Sequence, residues 1–249
     1  MTGAALVGEP PLRERRETGM EDDAQGGVDL EELARGLAGL SGSRDELLRF
    51  MLTYKFAMDS VMTKVQILRE EYTLVHAHNP IEHVTARLKR PENLLAKAAR
   101  QGTGLDLPSL RAHVRDIAGV RITCAFVTDV YSVYGSLVRQ GDIRLLGVKD
   151  YIATPKPNGY RSLHAVVEVP VFLSDGPVHV PVEIQFRTIA MDFWASLEHR
   201  TYYKYEKDVP GALVDDLREA AATAARLDAD MERIHRLVHG APGSTAPPA

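Results

Sequence analysis

Several common sequence features are scarce or missing in this chain. A single cysteine, Cys124, excludes a disulfide framework, and no spacing of cysteine and histidine is typical of a zinc site. The apolar residues around Cys124 favour a packing role for its side chain. No apolar segment is long enough to cross a membrane and no signal peptide is evident, so we expect a cytoplasmic protein with no membrane partner.

A large excess of charge is also missing. The formal net charge is −4 at pH 7, which disfavours non-specific DNA binding and requires that anions be bound by a local basic patch. Hydrophobic residues make up 45% and charged residues 26% of the 249 positions, as in an ordinary globular protein with a buried core.

Both ends have the composition of disordered segments. Residues 1–27 lack hydrophobic periodicity, and residues 240–249 consist of small residues and proline. We expect a disordered tail at each end and one folded domain at residues 28–239.

Long helices are predicted to flank this domain. After a short helix at residues 30–40, a long helix begins at Ser43, a cap residue with Glu46 three positions later, and extends to about residue 76. Another spans residues 210–238. Apolar residues recur in steps of three and four in both, which favours core faces; a subunit interface is the alternative. These residues are Leu47, Met51, Tyr54, Met58, Val61, Val65, Leu68, Tyr72 and Val75, and then Leu213, Leu217, Ala220, Ala224, Leu227, Met231, Ile234 and Val238.

The middle of the chain has patterns typical of strands. They fall at residues 121–127, 143–148, 162–169 and 180–187, with helices at 129–140 and from about residue 188. This order predicts an α+β domain whose mixed, largely antiparallel sheet is covered by helices on one side.

The segment KDYIATPKPNGYRSLH, residues 149–164, is typical of a nucleotide site. Its prolines disfavour helix and Asn158-Gly159 favours a turn with positive φ, so the cations of the segment would lie on a rigid loop suited to polyphosphate. Tyr160 could offer its ring to a base, and His164 begins a strand. A hairpin with a solvated basic edge is the alternative.

Two carboxylates stand beside apolar strands. In VPVEIQFRT, Glu183, Gln185 and Arg187 share one face of a strand because side chains alternate with period two. Asp116 precedes the strand at residue 121. If these strands are neighbours, Asp116 and Glu183 could bind one Mg²⁺ together with substrate phosphates; ion-paired surface acids are the alternative.

A second basic segment, TARLKRPENLLAKAAR, lies at residues 85–100. Arg87, Lys89 and Arg90 precede Pro91-Glu92, a natural helix start, and Lys97 follows on that helix. A helix N-terminus beside cations is suited to phosphate; a solvated amphipathic helix is the alternative.

Four motifs, in order, resemble the synthetase domain of RelA/SpoT-type enzymes, most closely the stand-alone small alarmone synthetases. They are RLKRPENLLAK, DIAGVRI, KDYIATPKPNGYRSLH and VEIQFRTIAMDFWASLEH, and the similarity covers residues 44–205. The resemblance implies a nucleotidyltransferase-like fold. It also implies transfer of the β,γ-pyrophosphate of ATP to the 3′-hydroxyl of GTP or GDP, which gives (p)ppGpp and AMP in the stringent response.

The resemblance further implies how ATP would be bound. Arg87 and Arg121 would lie on either side of the adenine, as guanidinium planes can. Lys89, Asn93 and Lys97 would lie near the ATP phosphates.

For the acceptor and the metal, the resemblance implies a second set of residues. Asp116 and Glu183 would hold Mg²⁺, and Glu183 is also the candidate base for the 3′-hydroxyl. GTP or GDP would be bound by Lys149, Lys156, Asn158, Tyr160, His164 and Gln185, with Tyr160 stacked on the guanine.

Asp192 is a further candidate for the guanine site. A carboxylate can accept from both the ring N–H and the amine of guanine, whereas adenine presents no such donor pair. The alternative is an acidic residue that favours the first turn of the helix from residue 188.

The resemblance leaves several properties open. The chain is short ahead of Arg87, so we expect synthesis without hydrolase activity. Relatives form homotetramers through helical flanks, and some respond to alarmone or bind single-stranded RNA; no residue here decides this. The competing hypotheses are a guanine-nucleotide or RNA-binding regulator, which has little need of two carboxylates, and a nucleotidyltransferase that releases pyrophosphate instead of AMP.

Overall fold

The computed structural model describes residues 29–37, 43–204 and 211–239. The helices in these ranges are α1 (Leu30–Gly36), α2 (Arg44–Val75), α3 (Pro91–Gln101), α4 (Leu107–His113), α5 (Val127–Val138), α6 (Ile189–Lys204) and α7 (Gly211–His239). The strands are β1 (Ile81–Leu88), β2 (Ala118–Cys124), β3 (Arg144–Asp150), β4 (Leu163–Leu173) and β5 (Gly176–Thr188). The tails predicted at residues 1–27 and 240–249 lie outside the described residues.

The strands form one sheet in the order β1-β2-β5-β4-β3. β2 and β5 run parallel, whereas every other neighbouring pair is antiparallel. This arrangement confirms the predicted α+β class with a mixed, largely antiparallel sheet. The parallel pair places the strand that follows Asp116 directly beside the strand that carries Glu183.

Two elements were not predicted from the sequence. β1 fully buries only its ends, Ile81 and Leu88, whereas Val84 and Ala86 between them are partly buried, so its apolar pattern is weaker than that of the other strands. α4 is a helix of 7 residues with Asp106 as its cap, since the Asp106 carboxylate accepts from the backbone N–H of Ser109 at 2.8 Å. β2 also begins earlier than predicted, at Ala118.

Helix α2 packs along the apolar face of the sheet. Its start is the predicted capping box: the Ser43 hydroxyl accepts from the Glu46 N–H at 3.2 Å, and the Glu46 carboxylate accepts from the Ser43 N–H at 2.7 Å. The predicted apolar residues from Leu47 to Leu68 are buried, together with Val182, Ile184 and Phe186 of β5. The core-face interpretation is therefore confirmed for α2, although Val75 at its end is exposed.

The same interpretation is wrong for most of α7. Leu227 is 55% exposed, Met231 49%, Ile234 44% and Val238 69%. The buried residues of α7 are instead Ala221, Asp228 and Glu232, which lie on a different face of the helix. The helix packs on the domain through a small, partly acidic face, and its apolar stripe lies outward.

No described helix combines the length and the apolar composition needed to span a lipid bilayer.

Candidate active site

The face of the sheet opposite the apolar core carries a row of polar side chains across neighbouring strands. Gln185 of β5 pairs with Arg121 of β2 on one side and with His164 of β4 on the other. His164 in turn pairs with Lys149 of β3. Directly opposed residues point to the same face of a sheet, so four side chains predicted from three separate motifs lie in one row.

A second row lies beside the first. Glu183 pairs with Gly119 of β2, and Gly119 pairs with Arg87 of β1. A Cβ built on Gly119 would meet only the Arg87 carbonyl oxygen, at 3.8 Å. Glycine therefore leaves open space between the guanidinium-bearing edge strand and the carboxylate-bearing central strand, where a ligand can lie against the backbone.

Asp116 is held by two of the predicted phosphate-site lysines. Its Oδ2 accepts from Lys89 Nζ at 2.8 Å and from Lys97 Nζ at 2.7 Å. Burial opposes ionisation of Asp116, but the two ammonium groups outweigh burial and hold the pKa of this carboxyl below its ordinary value. The cluster therefore carries an ionised acid between two cations, with one net positive charge.

The elements around this cluster explain its position. Asp116 precedes β2, and the Lys89 N–H donates to the Ile117 carbonyl at 2.8 Å, which ties the end of β1 to the start of β2. Lys97 lies one helical turn beyond Asn93, which is partly buried in the first turn of α3. Lys89 precedes the first turn of α3 by two residues and Lys97 follows it, and a helix N-terminus flanked by lysines is suited to a polyphosphate.

The loop between β3 and β4, residues 151–162, contains the predicted turn. Gly159 has φ +92°, which confirms the expected positive value. Its N–H donates to the Lys156 carbonyl at 2.8 Å, and the Tyr160 N–H donates to the Asn158 side chain at 3.1 Å. At the start of the loop, Asp150 accepts from two successive backbone N–H groups at 2.9 Å each. Short local bonds thus fix the loop that carries the predicted acceptor-binding residues.

Tyr160 and His164 connect this loop to Glu183. The Tyr160 hydroxyl lies 2.8 Å from His164 Nε2, and His164 Nδ1 lies 3.5 Å from Glu183 Oε1. Burial would lower the pKa of His164, but Tyr160 and Glu183 raise it above its ordinary value. The imidazole is therefore suited to hold a proton next to the Glu183 carboxylate.

Arg187 is a candidate site residue to which the sequence analysis assigned no role. Its guanidinium is almost fully buried and donates to Asp192 Oδ1 at 2.9 Å, to the Tyr160 hydroxyl at 2.8 Å and to Gln185 Oε1 at 3.1 Å. Burial would raise the pKa of Tyr160, but the charges of Arg187 and His164 lower it. Its position on the polar face of VEIQFR was the available signal, since a buried arginine on that face requires partners.

Asp192 lies at the junction of this network with β2. Its Oδ1 is 2.9 Å from Arg187 Nη1 and 3.1 Å from Arg121 Nη1, and its Oδ2 is 4.0 Å from His83 Nε2. The structure thus brings Asp192, Arg121, Tyr160, His164 and Glu183 into one network. The other predicted residues lie around it: Lys149 is exposed on β3, Lys156 lies over the Tyr160 ring, and Asn158 donates to Glu198 of α6 at 3.2 Å.

The two carboxylates offer oxygen ligands to a divalent cation. Asp116 Oδ1 is buried and has no hydrogen-bond donor among the described residues, so it retains a free acceptor. No group of three or more His, Cys, Asp and Glu side chains in the described ranges is arranged to hold a metal by itself. Asp116, just ahead of β2, and Glu183, on the neighbouring parallel strand β5, supply the one or two carboxylates that Mg²⁺ takes from a protein, with phosphate and water completing its shell.

These features define a nucleotide-binding phosphotransfer enzyme with two substrate sides. Lysines and a helix N-terminus lie on the β1–α3 side, and a basic, aromatic loop lies on the β3–β4 side. Asp116 lies just ahead of β2, and Glu183 lies on β5, the central strand of the sheet.

Comparison with known proteins gives the family. Residues 86–208 match the family described as "Region found in RelA / SpoT proteins". The chain is 51% identical over 188 residues to GTP pyrophosphokinase YwaC of Bacillus subtilis, covering 76% of this chain and 90% of that protein. The chain belongs to the RelA/SpoT family, and its sequence is similar to a small alarmone synthetase.

Solved structures agree with this assignment. The crystal structure of small alarmone synthetase 2 from B. subtilis is 50% identical, with a TM-score of 0.69, over 75% of this chain and 96% of that one. Small alarmone synthetase 1 from B. subtilis, bound to its product pppGpp, is 39% identical, with a TM-score of 0.71, over 77% of this chain and 97% of that one.

Proposed function

We propose that this protein is a GTP/GDP pyrophosphokinase of the small alarmone synthetase type. It transfers the β,γ-pyrophosphate of ATP to the 3′-hydroxyl of GTP or GDP and releases AMP, in the cytoplasm and without hydrolysing its product. The observation that carries the proposal is the shared polar face, on which only Gly119 separates Glu183 from Arg87 of β1, while His164 Nδ1 of β4 lies 3.5 Å from Glu183 Oε1.

ATP binds on the β1–α3 side in this proposal. The guanidinium groups of Arg87 and Arg121 come from adjacent strands and take the adenine between them. Lys89 and Lys97, now paired with Asp116, turn toward the triphosphate when it arrives, and Asn93 lies in the first turn of α3 beside them. The net positive charge of the lysine cluster supports this assignment.

GTP or GDP binds on the β3–β4 side. The Lys156 ammonium lies 4.8 Å from the centre of the Tyr160 ring, and we propose that guanine takes its place there. When guanine displaces the Lys156 ammonium from the Tyr160 ring, Lys156 can bind the acceptor phosphates together with Lys149. Gln185 helps to position the acceptor. Asp192 then accepts from the guanine edge while Arg187 continues to hold it.

Catalysis requires that the 3′-hydroxyl lose a proton as it attacks. The O3′–Pβ bond forms, the bond from Pβ to the oxygen bridging Pα and Pβ breaks, and AMP leaves with that oxygen. Glu183 accepts the hydroxyl proton, and His164, held by Tyr160, donates a hydrogen bond that orients the carboxylate. Asp116 and Glu183 would hold Mg²⁺, which would neutralise part of the charge on the phosphates.

The test is an incubation of purified protein with ATP, GTP and Mg²⁺, resolved by anion-exchange chromatography. We expect AMP and a more highly phosphorylated guanine nucleotide in equal amounts. Glu183→Gln should lower the rate about 100-fold or more, because it removes the base but keeps the shape. Glu168→Gln, on β4 and paired with Arg144, is the matched control and should retain activity.

Two outcomes would contradict the proposal. Saturable guanine-nucleotide or RNA binding without turnover of GTP or GDP would indicate a regulatory module. Release of pyrophosphate in place of AMP would indicate a different nucleotidyltransferase.

We also propose that the protein assembles as a homo-oligomer, a homotetramer as the resemblance implies. The outward apolar stripe on α7, formed by Leu227, Met231, Ile234 and Val238, supports this. A monomer in sedimentation at micromolar concentration would contradict it.

A further inference from the structure

The tip of the β3–β4 loop is held by the helices that follow the sheet. Three consecutive residues make these contacts. The Pro157 carbonyl accepts from Arg218 Nε of α7 at 3.0 Å, and the Asn158 amide donates to Glu198 of α6 at 3.2 Å. Gly159 lies so close to α7 that a Cβ built on it would be 2.6 Å from the Ala221 Cβ.

Helix α7 is itself bonded to α6 and to the end of β5, the strand that carries Glu183. The Trp194 indole N–H of α6 donates to the Leu217 carbonyl at 2.9 Å. Further along α7, Asp228 accepts a hydrogen bond at 2.7 Å from the hydroxyl of Thr188, which lies at the end of β5. Because α7 is bonded to β5 and α6 on one side and to the loop tip on the other, its position determines where the loop lies over the site.

Arg218 makes this connection from the exposed surface of α7. Its side chain is more than half exposed, and Asp215, one turn earlier on α7, accepts from its Nη1 at 2.8 Å. The ion pair orients the guanidinium so that Nε points at the Pro157 carbonyl. That carbonyl lies directly after Lys156 and three positions before Tyr160.

We infer that Arg218 is a positioning residue for the acceptor nucleotide, acting through the Pro157 carbonyl on the loop that carries Lys156, Asn158 and Tyr160. The inference rests on the proposed function of that loop. The Arg218–Pro157 bond keeps the loop tip in its binding geometry, so its loss weakens capture of GTP or GDP and leaves the ATP side, on β1 and α3, unaffected.

The experiment compares steady-state KM values for GTP and for ATP in Arg218→Ala and Arg218→Gln. Alanine removes the donor, and we expect a KM for GTP about fivefold higher with KM for ATP unchanged. Glutamine places an amide N–H where Nε was, so it should return KM for GTP to within about twofold of wild type. Arg226→Ala is the matched control, since Arg226 lies on α7 and bonds Thr223 of the same helix.

A binding measurement without turnover accompanies the kinetics. Trp194 is the one tryptophan of the chain, and its ring centre lies 6.5 Å from that of Tyr160. Titration of GTP in the absence of ATP, followed by Trp194 fluorescence, should give a weaker apparent Kd for Arg218→Ala by the same factor as the change in KM.

The outcomes distinguish failure of the proposed synthetase function from failure of the positioning role of Arg218. If the wild type forms no AMP and no phosphorylated guanine product, the proposed function itself fails. If the wild type is active and Arg218→Ala keeps its KM for GTP, the positioning role is wrong. An equal rise of both KM values, or a defect that glutamine does not restore, would indicate a general structural role and would also overturn the inference.

Discussion

Arg187 and Asp192 form a buried ion pair across the junction between β5 and α6, with 2.9 Å between Nη1 and Oδ1. Arg187 is the last charged residue of the strand that carries Glu183, and Asp192 lies in the first turn of the helix that follows. The same guanidinium bonds Tyr160 and Gln185. The pair therefore joins the predicted guanine-binding residues to the strand that carries the candidate base.

Arg187→Lys tests this connection. Lysine keeps the positive charge but lacks the planar fork that reaches three acceptors, so Tyr160 and Gln185 lose their fixed positions. We expect a fall in kcat/KM for GTP of about tenfold or more, with little change in the ATP dependence. Arg187→Met should in addition lower the free energy of unfolding by about 3 kcal/mol, because the largely buried Asp192 carboxylate then keeps only Arg121 of its two arginine partners.

Arg233→Lys on α7 is the control for this substitution. Arg233 forms an exposed ion pair with Asp230 on the same helix, so its replacement should leave activity and stability near wild type. A normal kcat/KM in Arg187→Lys would show that the buried arginine serves stability alone.

Asp192→Asn tests the guanine readout. An amide offers one acceptor oxygen in place of two and adds a donor that faces the ring N–H, so preference for GTP over an adenine acceptor should fall about tenfold. The measurement is competition between GTP and a second adenine nucleotide as acceptors. The carboxylate also pairs with Arg121 and Arg187, so unchanged preference combined with lower stability would assign Asp192 to ion pairing only.

The polar face could be predicted from the sequence because period-two alternation in VEIQFR separates Glu183 and Gln185 from the apolar positions. The capping box of α2 could also be predicted, because its two residues, Ser43 and Glu46, are three positions apart in the sequence. The partners of Asp116 and of Asp192 across the sheet could not be predicted, because Lys89, Lys97 and Arg121 are distant in sequence and only the packing of β1, β2, α3 and α6 brings them close. The orientation of α7 was predicted wrongly because its apolar residues do recur at helical spacing, but they face away from the domain.

Gly159→Ala should disturb the acceptor loop for two reasons. The positive φ is strained for a side chain, and the new methyl would collide with Ala221. We expect KM for GTP to rise about tenfold. The double variant Gly159→Ala with Ala221→Gly removes the collision but not the strain, so it should recover part of the loss. No recovery would mean that backbone strain alone accounts for the effect.

Asp116→Asn should abolish most activity, since it removes a proposed Mg²⁺ ligand and the anionic partner of two lysines. It should also lower the free energy of unfolding at pH 7 by about 2 kcal/mol, since the charge-assisted bonds are lost. The folded-state pKa of Asp116 lies below its ordinary value, so the stability contributed by this carboxylate is present above the unfolded pKa near 4 and is lost in more acidic solution. Urea unfolding at pH 7 and pH 3 should therefore show the difference between wild type and variant shrinking in acid.

Asp228 should show the opposite pH dependence. Burial and the neighbouring Glu232 raise its pKa in the folded state, while Thr188 donates a hydrogen bond to it. A raised carboxyl pKa means that the folded state binds the proton more tightly than the unfolded chain, so this group favours folding below the unfolded pKa and loses that contribution as pH rises through the folded pKa. Asp228→Asn keeps an acceptor for Thr188 and cannot ionise.

We therefore expect Asp228→Asn to raise Tm by about 2 °C at pH 8 and to have little effect at pH 4, as measured by thermal denaturation across that range. Asp230→Asn, at an exposed position two residues along, is the control and should show no such trend. A lower Tm in Asp228→Asn at pH 8 would mean that the ionised carboxylate stabilises the contact of α7 with β5.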